Sequence, residues 1–333
     1  MLRRLIIIPI SLFFVVAFSY ALVEIMPGDP ALAIAGNTAN EREVAIIRAE
    51  LGLDRPFDER FVKFFTDIAQ GDLGRSFFDG QIVSHEITRY FPASVEIMVL
   101  SLLFAGLIGL SLGALAGYFR QRAPDSVARI VITALQAVPE FLIALLLIFF
   151  IFYLWRWAPA PIGRLSLTDT YPPVVTNFLF IDLILAGDWN GLRSTAHRSV
   201  LPVATLAIGT AAYFAKVARA TIGAAMSSKQ VQFARACGLS EFKVLQYALL
   251  QARGPIITYT AILVAALVGG ASIIETMFSW RGLGQWGLQA ILNKDVPAIQ
   301  GFVIATGSFT MIVYLALDLV VAALDPRIRH DRG

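Results

Sequence analysis

Gln232-Phe233-Ala234-Arg235-Ala236-Cys237-Gly238-Leu239-Ser240-Glu241-Phe242-Lys243-Val244 is a polar stretch set between two long apolar segments, and its reading decides the fold. Helix formers run from 221 to 237, and Gly238 then supplies the conformational freedom that a helix C-terminus needs. Ser240 stands where it can cap a second helix, whose first turn carries Glu241 against the positive end of the helix dipole. Phe242, Leu245 and Leu249 follow at three- and four-residue spacing, which gives that helix one apolar and one polar face. Such a helix-turn-helix can seat in a groove on a partner while staying continuous with a membrane helix. The same charge pattern also suits a basic amphipathic helix lying on anionic lipid.

The flanking chain is built for a bilayer. Hydrophobic residues make up 57% of the 333 and charged residues 15%, with a mean hydropathy of +0.70. That is more apolar surface than a soluble core can bury. Runs of roughly 20 apolar residues mark expected spans, and six lie near 5–25, 93–119, 127–155, 200–220, 256–277 and 302–323. The apolar stretch 171–186 holds Pro172, Pro173 and Asp182 and reads as part of an outer loop.

A cytoplasmic N-terminus places Arg3, Arg4, Arg120, Arg122, the stretch 216–253, Arg327, Arg329 and Arg332 on the inside, with most acids opposite. The short inner connections are then almost purely basic, as the positive-inside rule requires, and both termini are cytoplasmic. Arg3 and Arg4 before an apolar run, with Ala31-Leu32-Ala33 beyond it, also fit a secretory signal. The run is long for a signal core and that site lies past Pro27-Gly28-Asp29-Pro30, so the first helix is expected to remain. The expected organisation is a first helix over 1–26, an extracytoplasmic subdomain over 27–92, a five-span core over 93–325 with a cytoplasmic loop near 221–253, and a tail over 326–333. Within 27–92, residues 41–51 and 57–69 read as short helices and 71–74 as a turn.

Glu140 follows Pro139 inside the third expected span, where a carboxylate is costly enough to mark function. It can meet a substrate amine or a basic group on a partner, or be a hydrogen-bonded structural acid beside a proline kink. Gln136 and Asp318 can line the same path or simply pack helices. Glu96 and Glu275 fall near outer span ends, close to water. Gly269-Gly270 permits close helix approach or a hinge. Trp155, Trp157, Trp189, Trp280 and Trp286 gather toward the outer boundary and read as an interfacial belt. His85, His197 and His330 share no metal-ligand spacing, so no metal site is expected. The single Cys237 reads as a small packing residue. The phosphate-loop pattern is missing; the nearest string, from Gly223 to Lys229, lacks the second glycine. Nothing points to nucleic acid.

Ala234-Arg235-Ala236-x-Gly238-Leu239-Ser240 followed by a second helix resembles the cytoplasmic loop of ABC-type import permeases of the dipeptide and oligopeptide systems. The resemblance runs along the chain: Glu24 to Ala31, Leu51 to Pro56, Gly71 to Ser76, Glu275 to Gly284, Asp295-Val296-Pro297 and Asp325-Pro326-Arg327 resemble that family's segments in order. Two departures stand out: the second hairpin helix is less basic and shorter before Pro255, and Arg281 stands where the family often has proline.

The resemblance implies an all-α integral membrane protein with six transmembrane helices and the type I ABC importer permease fold. It also implies a non-catalytic permease subunit in a bacterial or archaeal inner membrane. Coupling would rest on Ala234, Arg235, Ala236, Gly238, Leu239, Ser240, Glu241, Phe242 and Lys243. The translocation path would include Gln136, Glu140 and Asp318, and the outer loop or gate Glu275, Phe278, Trp280, Gly282 and Gly284. Implied partners are a homologous C-type permease, two cytoplasmic ATPase subunits that bind ATP and Mg, and an extracytoplasmic substrate-binding protein. The implied cargo is a peptide, with nickel, glutathione or an oligosaccharide-like solute as alternatives. An ion-driven secondary transporter would show several intramembrane acids and broken helices in corresponding repeats; this chain shows one deep acid and no repeat. A receptor or scaffold that moves no solute would need no paired permease.

Overall fold

Apolar runs that leave water must satisfy their backbone internally, and the helix does this within one segment. The computed structural model describes residues 2–25, 30–35, 40–50, 52–166 and 168–324, in which thirteen α-helices are joined by turns. Only an isolated bridge between Arg75 and Ile82 pairs extended backbone among them. Pro27-Gly28-Asp29, Leu51, Asp325-Pro326-Arg327, Arg329, His330 and Arg332 lie outside the described residues.

Four helices are long and apolar enough to cross a membrane: α5 (Val83–Tyr118), α9 (Trp189–Met226), α11 (Glu241–Met277) and α13 (Val296–Leu324). A further pair, α6 (Ala123–Ala137) and α7 (Glu140–Leu147), is apolar and long enough together to make a fifth span, but is bent by 96° at the break between them. Pro139 has no N–H to continue the ladder and holds Val138 extended, with ψ 121°. One bent span over 127–155 was expected; the structure instead makes two helices, the second continuing as a π-helical turn over Ile148–Leu154. α1 (Leu2–Ile25) carries the shorter apolar stretch Pro9–Ala21.

Two compact units divide the chain, Met1–Ala93 with Arg281–Met311 and Ser94–Trp280 with Ile312–Gly333. In the first, α2 (Pro30–Ala35), α3 (Glu41–Glu50) and α4 (Phe57–Ala69) follow α1. α4 turns its aromatic face to α1, where Phe57, Phe61 and Phe64 surround Tyr20 at 5.6, 5.4 and 5.2 Å between ring centroids. Arg60 closes the seam on Glu24 at 2.6 Å, and that hydrogen bond raises the guanidinium pKa. Gly71 and Gly74 adopt φ of 82° and 78°, which makes the 71–74 turn. Val83, Leu283, Trp286, Ala290, Ala298 and Ile299 form this unit's core around α12 (Leu283–Leu292).

Asp295 fastens that unit. Its buried carboxylate accepts from Ser76 Oγ, from the Phe77 and Phe78 amides at 3.0 and 3.4 Å, and from the Ala298 amide at 3.4 Å. Two segments more than 200 residues apart in the chain, Ser76 and Asp295, are joined at one carboxylate. Asp295→Ala leaves several buried donors unpaired, and we expect a cost of about 3 kcal/mol. Hydrogen exchange should report it as faster exchange confined to 74–82 and the start of α13.

In the second unit α9 is the spine. Gly109, Gly113 and Gly117 of α5 lie against it so closely that a Cβ on Gly109 would stand 2.5 Å from the Ala211 carbonyl. Ala105, Ala207, Ala211, Phe214 and Leu263 fill the layer among α5, α9 and α11. At one end, Glu96 accepts from Arg164 at 3.1 Å and from the Phe180 amide at 2.9 Å. These bonds pin the loop that leads to α8 (Leu179–Leu185). Asp182 of α8 is buried, which works against its charge, yet the Thr176 hydroxyl and neighbouring amides outweigh this and hold the carboxyl below its usual range.

Two expectations are corrected here. Glu96 and Glu275 are buried rather than near water: Glu96 pairs with Arg164, and Glu275 accepts from Ser94 Oγ. Trp280 and Trp286 are core residues, Trp286 stacking on Tyr90 at 6.3 Å, whereas Trp155, Trp157 and Trp189 are exposed. Arg281 has φ 57°, a conformation that the proline ring forbids. The backbone at that departure therefore follows a path that proline cannot take.

Candidate functional site

The hairpin begins one break earlier than the helix formers indicate. α9 stops at Met226, Ser227 and Ser228 turn the chain, and Ser228 caps α10 (Lys229–Ala236) by accepting from the Val231 amide at 3.3 Å. A serine pair competes with the helix ladder through its own side chains, and this signal marks the break. At the far end Gly238 takes φ 76°; its amide donates to the Arg235 carbonyl at 2.9 Å and the Leu239 amide to the Ala234 carbonyl at 3.2 Å. This is the Schellman pair of bonds that closes a helix. Ser240 sits at the N-cap of α11 with extended backbone, but its side chain makes no cap bond.

A charge clasp joins the two hairpin helices instead. Arg235 donates to both Glu241 oxygens at 3.0 Å, and Tyr118 at the end of α5 donates its hydroxyl to Glu241 at 3.0 Å. The bidentate bond raises the Arg235 pKa and fixes the angle between α10 and α11. A second pair, Arg219 with Asp125, ties α9 to the first turn of α6, and Asp125 also accepts from the Gln121 amide at 3.0 Å.

Packing keeps only part of the α11 face that the large side chains marked, with Leu245 half-buried against the core cluster. Val244, Ala248 and Ala252 are buried against Ala218, Ile222, Val231 and Ala234. Small residues let the helices approach, whereas Phe242 and Leu249 point outward. Val231 and Val244, both fully buried, contribute about 2 kcal/mol each. Phe233 and Phe242 remain 71% and 70% exposed on either side of the turn. Cys237 is exposed at the same tip, contrary to its reading as a packing residue. Among the expected coupling residues, Ala234 is buried and Leu239 half-buried. Arg235, Ala236, Gly238, Ser240, Glu241, Phe242 and Lys243 face outward.

The expected path residues are only partly brought together. Gln136 and Glu140 flank the break at Pro139, and Asp318 is exposed on α13. Of the outer-loop residues, Glu275, Phe278 and Trp280 are buried in the second unit, while Gly282 and Gly284 are buried at the start of α12 in the first. Sequence reasoning missed the α5 glycines at 109, 113 and 117, although their four-residue spacing is the signal for close helix approach.

Residues 109–330 match the family described as "Binding-protein-dependent transport system inner membrane component", and residues 1–98 match "Binding-prot-dependent transport system membrane comp, N-term". The chain is 33% identical over 320 residues to the probable D,D-dipeptide transport system permease protein DdpB of Escherichia coli (strain K12), covering 96% of this chain and 94% of that protein. It is 31% identical over 332 residues to the di/tripeptide transport system permease protein DppB of Pseudomonas aeruginosa (strain UCBPP-PA14), covering 99% and 98%. To the dipeptide transport system permease protein DppB of Escherichia coli (strain K12) it is 31% identical over 339 residues, again covering 99% and 98%.

Proposed function

The chain belongs to the family of binding-protein-dependent transport system inner membrane components, and on that premise we propose that it is the permease subunit of an ATP-driven importer of peptides. It pairs with a homologous second permease around a shared path, takes cargo from an extracytoplasmic binding protein and is driven by two ATPase subunits. It hydrolyses no ATP itself; ATP and Mg are bound by the ATPases. Six crossings follow if α1 spans and the bent α6 and α7 count as one, with both termini cytoplasmic in a bacterial or archaeal inner membrane. Residues 27–92 form an extracytoplasmic subdomain, 93–325 the permease core and 326–333 a cytoplasmic tail. Gln136, Glu140 and Asp318 line the path, and the loop carrying Glu275, Phe278, Trp280, Gly282 and Gly284 is the outer gate.

The observation that carries this reading is the rigid hairpin with exposed aromatic tips. A partner that seats Phe233 and Phe242 moves α11 directly, and moves α9 through α10 and the two-residue turn at Ser227 and Ser228. The Arg235, Glu241 and Tyr118 clasp carries the same motion to α5. Partner contact shifts the inward and outward states only through its differential affinity for them. Replacing both phenylalanines, Phe233→Ser with Phe242→Ser, removes two aromatic anchors, and we expect ATPase affinity to fall at least about a hundredfold. Titration of purified ATPase onto the permease pair in nanodiscs checks this. The function itself is tested in proteoliposomes holding the complete transporter. Peptide accumulation that requires ATP and the binding protein supports the reading, and accumulation driven by an ion gradient without ATP overturns it.

A further inference from the structure

Building on the peptide-import reading, we propose that Glu140 is the point in the membrane path that receives the cationic amino group of the solute. The carboxylate stands at the first residue of α7, at the break where α6 and α7 are bent by 96°. It lies over two glycines on two neighbouring helices. A Cβ added to Gly270 of α11 would stand 2.7 Å from Oε2, and one added to Gly209 of α9 would stand 3.0 Å from Oε1. The two missing side chains thus make a notch that the carboxylate occupies. Gly269, beside Gly270, meets nothing within 4 Å.

Gly209 lies midway along α9, which places the carboxylate deep in the apolar layer. A charge there needs a partner of opposite sign or a donor. Among the described residues no hydrogen bond or ion pair reaches Glu140. On the other side of Pro139, the Gln136 Nε2 is buried and likewise has no partner. An acceptor and a donor therefore flank one helix break, both unsatisfied. A peptide carries an ammonium that donates, and carbonyl and carboxylate oxygens that accept, so it supplies the complement to both. Tyr213 follows Gly209 by one turn on the same face of α9 and is partly exposed, which adds a ring face suited to a cation.

The test is initial uptake of labelled dialanine by proteoliposomes containing the complete complex, with the wild type, Glu140→Gln and Glu140→Asp compared. We expect Glu140→Gln to lower uptake about tenfold, the effect of losing one charge-assisted bond, and Glu140→Asp to recover part of it. Stimulation of ATP hydrolysis by the loaded binding protein should stay within about twofold, because coupling does not pass through this group. Gly270→Ala should lower uptake in the wild type by displacing the carboxylate, yet change nothing further in Glu140→Gln. Wild-type uptake by Glu140→Gln overturns the proposal. So does a loss of complex assembly or of stimulated ATP hydrolysis shared by Glu140→Gln and Glu140→Asp, which assigns the group to packing or to the second permease. A wild-type complex that moves no dialanine overturns the peptide reading first.

Discussion

Gly238→Pro is expected to abolish ATP-driven uptake while leaving the chain inserted in the membrane. The turn requires φ 76° at this position and uses the residue's amide as a donor to the Arg235 carbonyl. Proline fixes φ near −65° and has no N–H, so both requirements fail together at a local cost of about 3 kcal/mol. That cost shifts a two-state hairpin about a hundredfold. The Leu239 to Ala234 bond opens with it, and Phe233 and Phe242 lose their common orientation. Gly238→Asn is the control: a Cβ here meets nothing within 4 Å, and asparagine tolerates the left-handed conformation. We expect near-normal uptake from Gly238→Asn, and ATP hydrolysis without uptake from Gly238→Pro. Normal binding-protein-dependent uptake by Gly238→Pro sinks the coupling role of the turn.

Gly113→Leu is expected to destroy the packing of α5 on α9. Even a Cβ at Gly113 would stand 2.5 Å from the Ala218 Cβ, 2.7 Å from the Ala215 carbonyl and 3.0 Å from the Arg219 amide. Two of these neighbours are backbone, so the helices themselves must separate. Overpacking of this kind costs about 3 kcal/mol or more. Opening the seam also disturbs Arg219, which holds Asp125 of α6. We expect a sharp loss of monodisperse protein in detergent and a melting temperature lowered by several degrees, on the order of 5 °C. The matched change at Gly106, which meets nothing within 4 Å, should leave both unaltered.

Much of this architecture was legible in the sequence because membrane insertion writes itself in composition. Long apolar runs mark candidate spans without knowledge of their packing. The hairpin's Gly238 was legible too, since a left-handed helix end selects glycine. What stayed hidden depends on neighbours. The exposure of Phe242 and Leu249 reverses the usual meaning of large apolar residues, because the inward face of α11 is set by how closely α9 approaches. Hence Val244, Ala248 and Ala252 are buried instead. Glu275 and Glu96 looked close to water from their position in the chain, but Ser94, Arg164 and the Phe180 amide enclose them. The break between α6 and α7 was signalled by Pro139, though its angle was not. Glu140 was singled out by its cost in the membrane; the two glycines that make room for it come from distant segments.

The most direct measurement uses the chain's own Cys237, its single cysteine, exposed at the hairpin tip. A short photoactivatable cross-linker is attached to that thiol in native membranes, and the products are identified by mass after illumination. We expect the dominant product to join this chain to an ATPase subunit, with a yield that changes when ATP is added. Cross-linking only to lipid, or only to a second copy of this chain, would contradict a hairpin that receives the ATPase stroke.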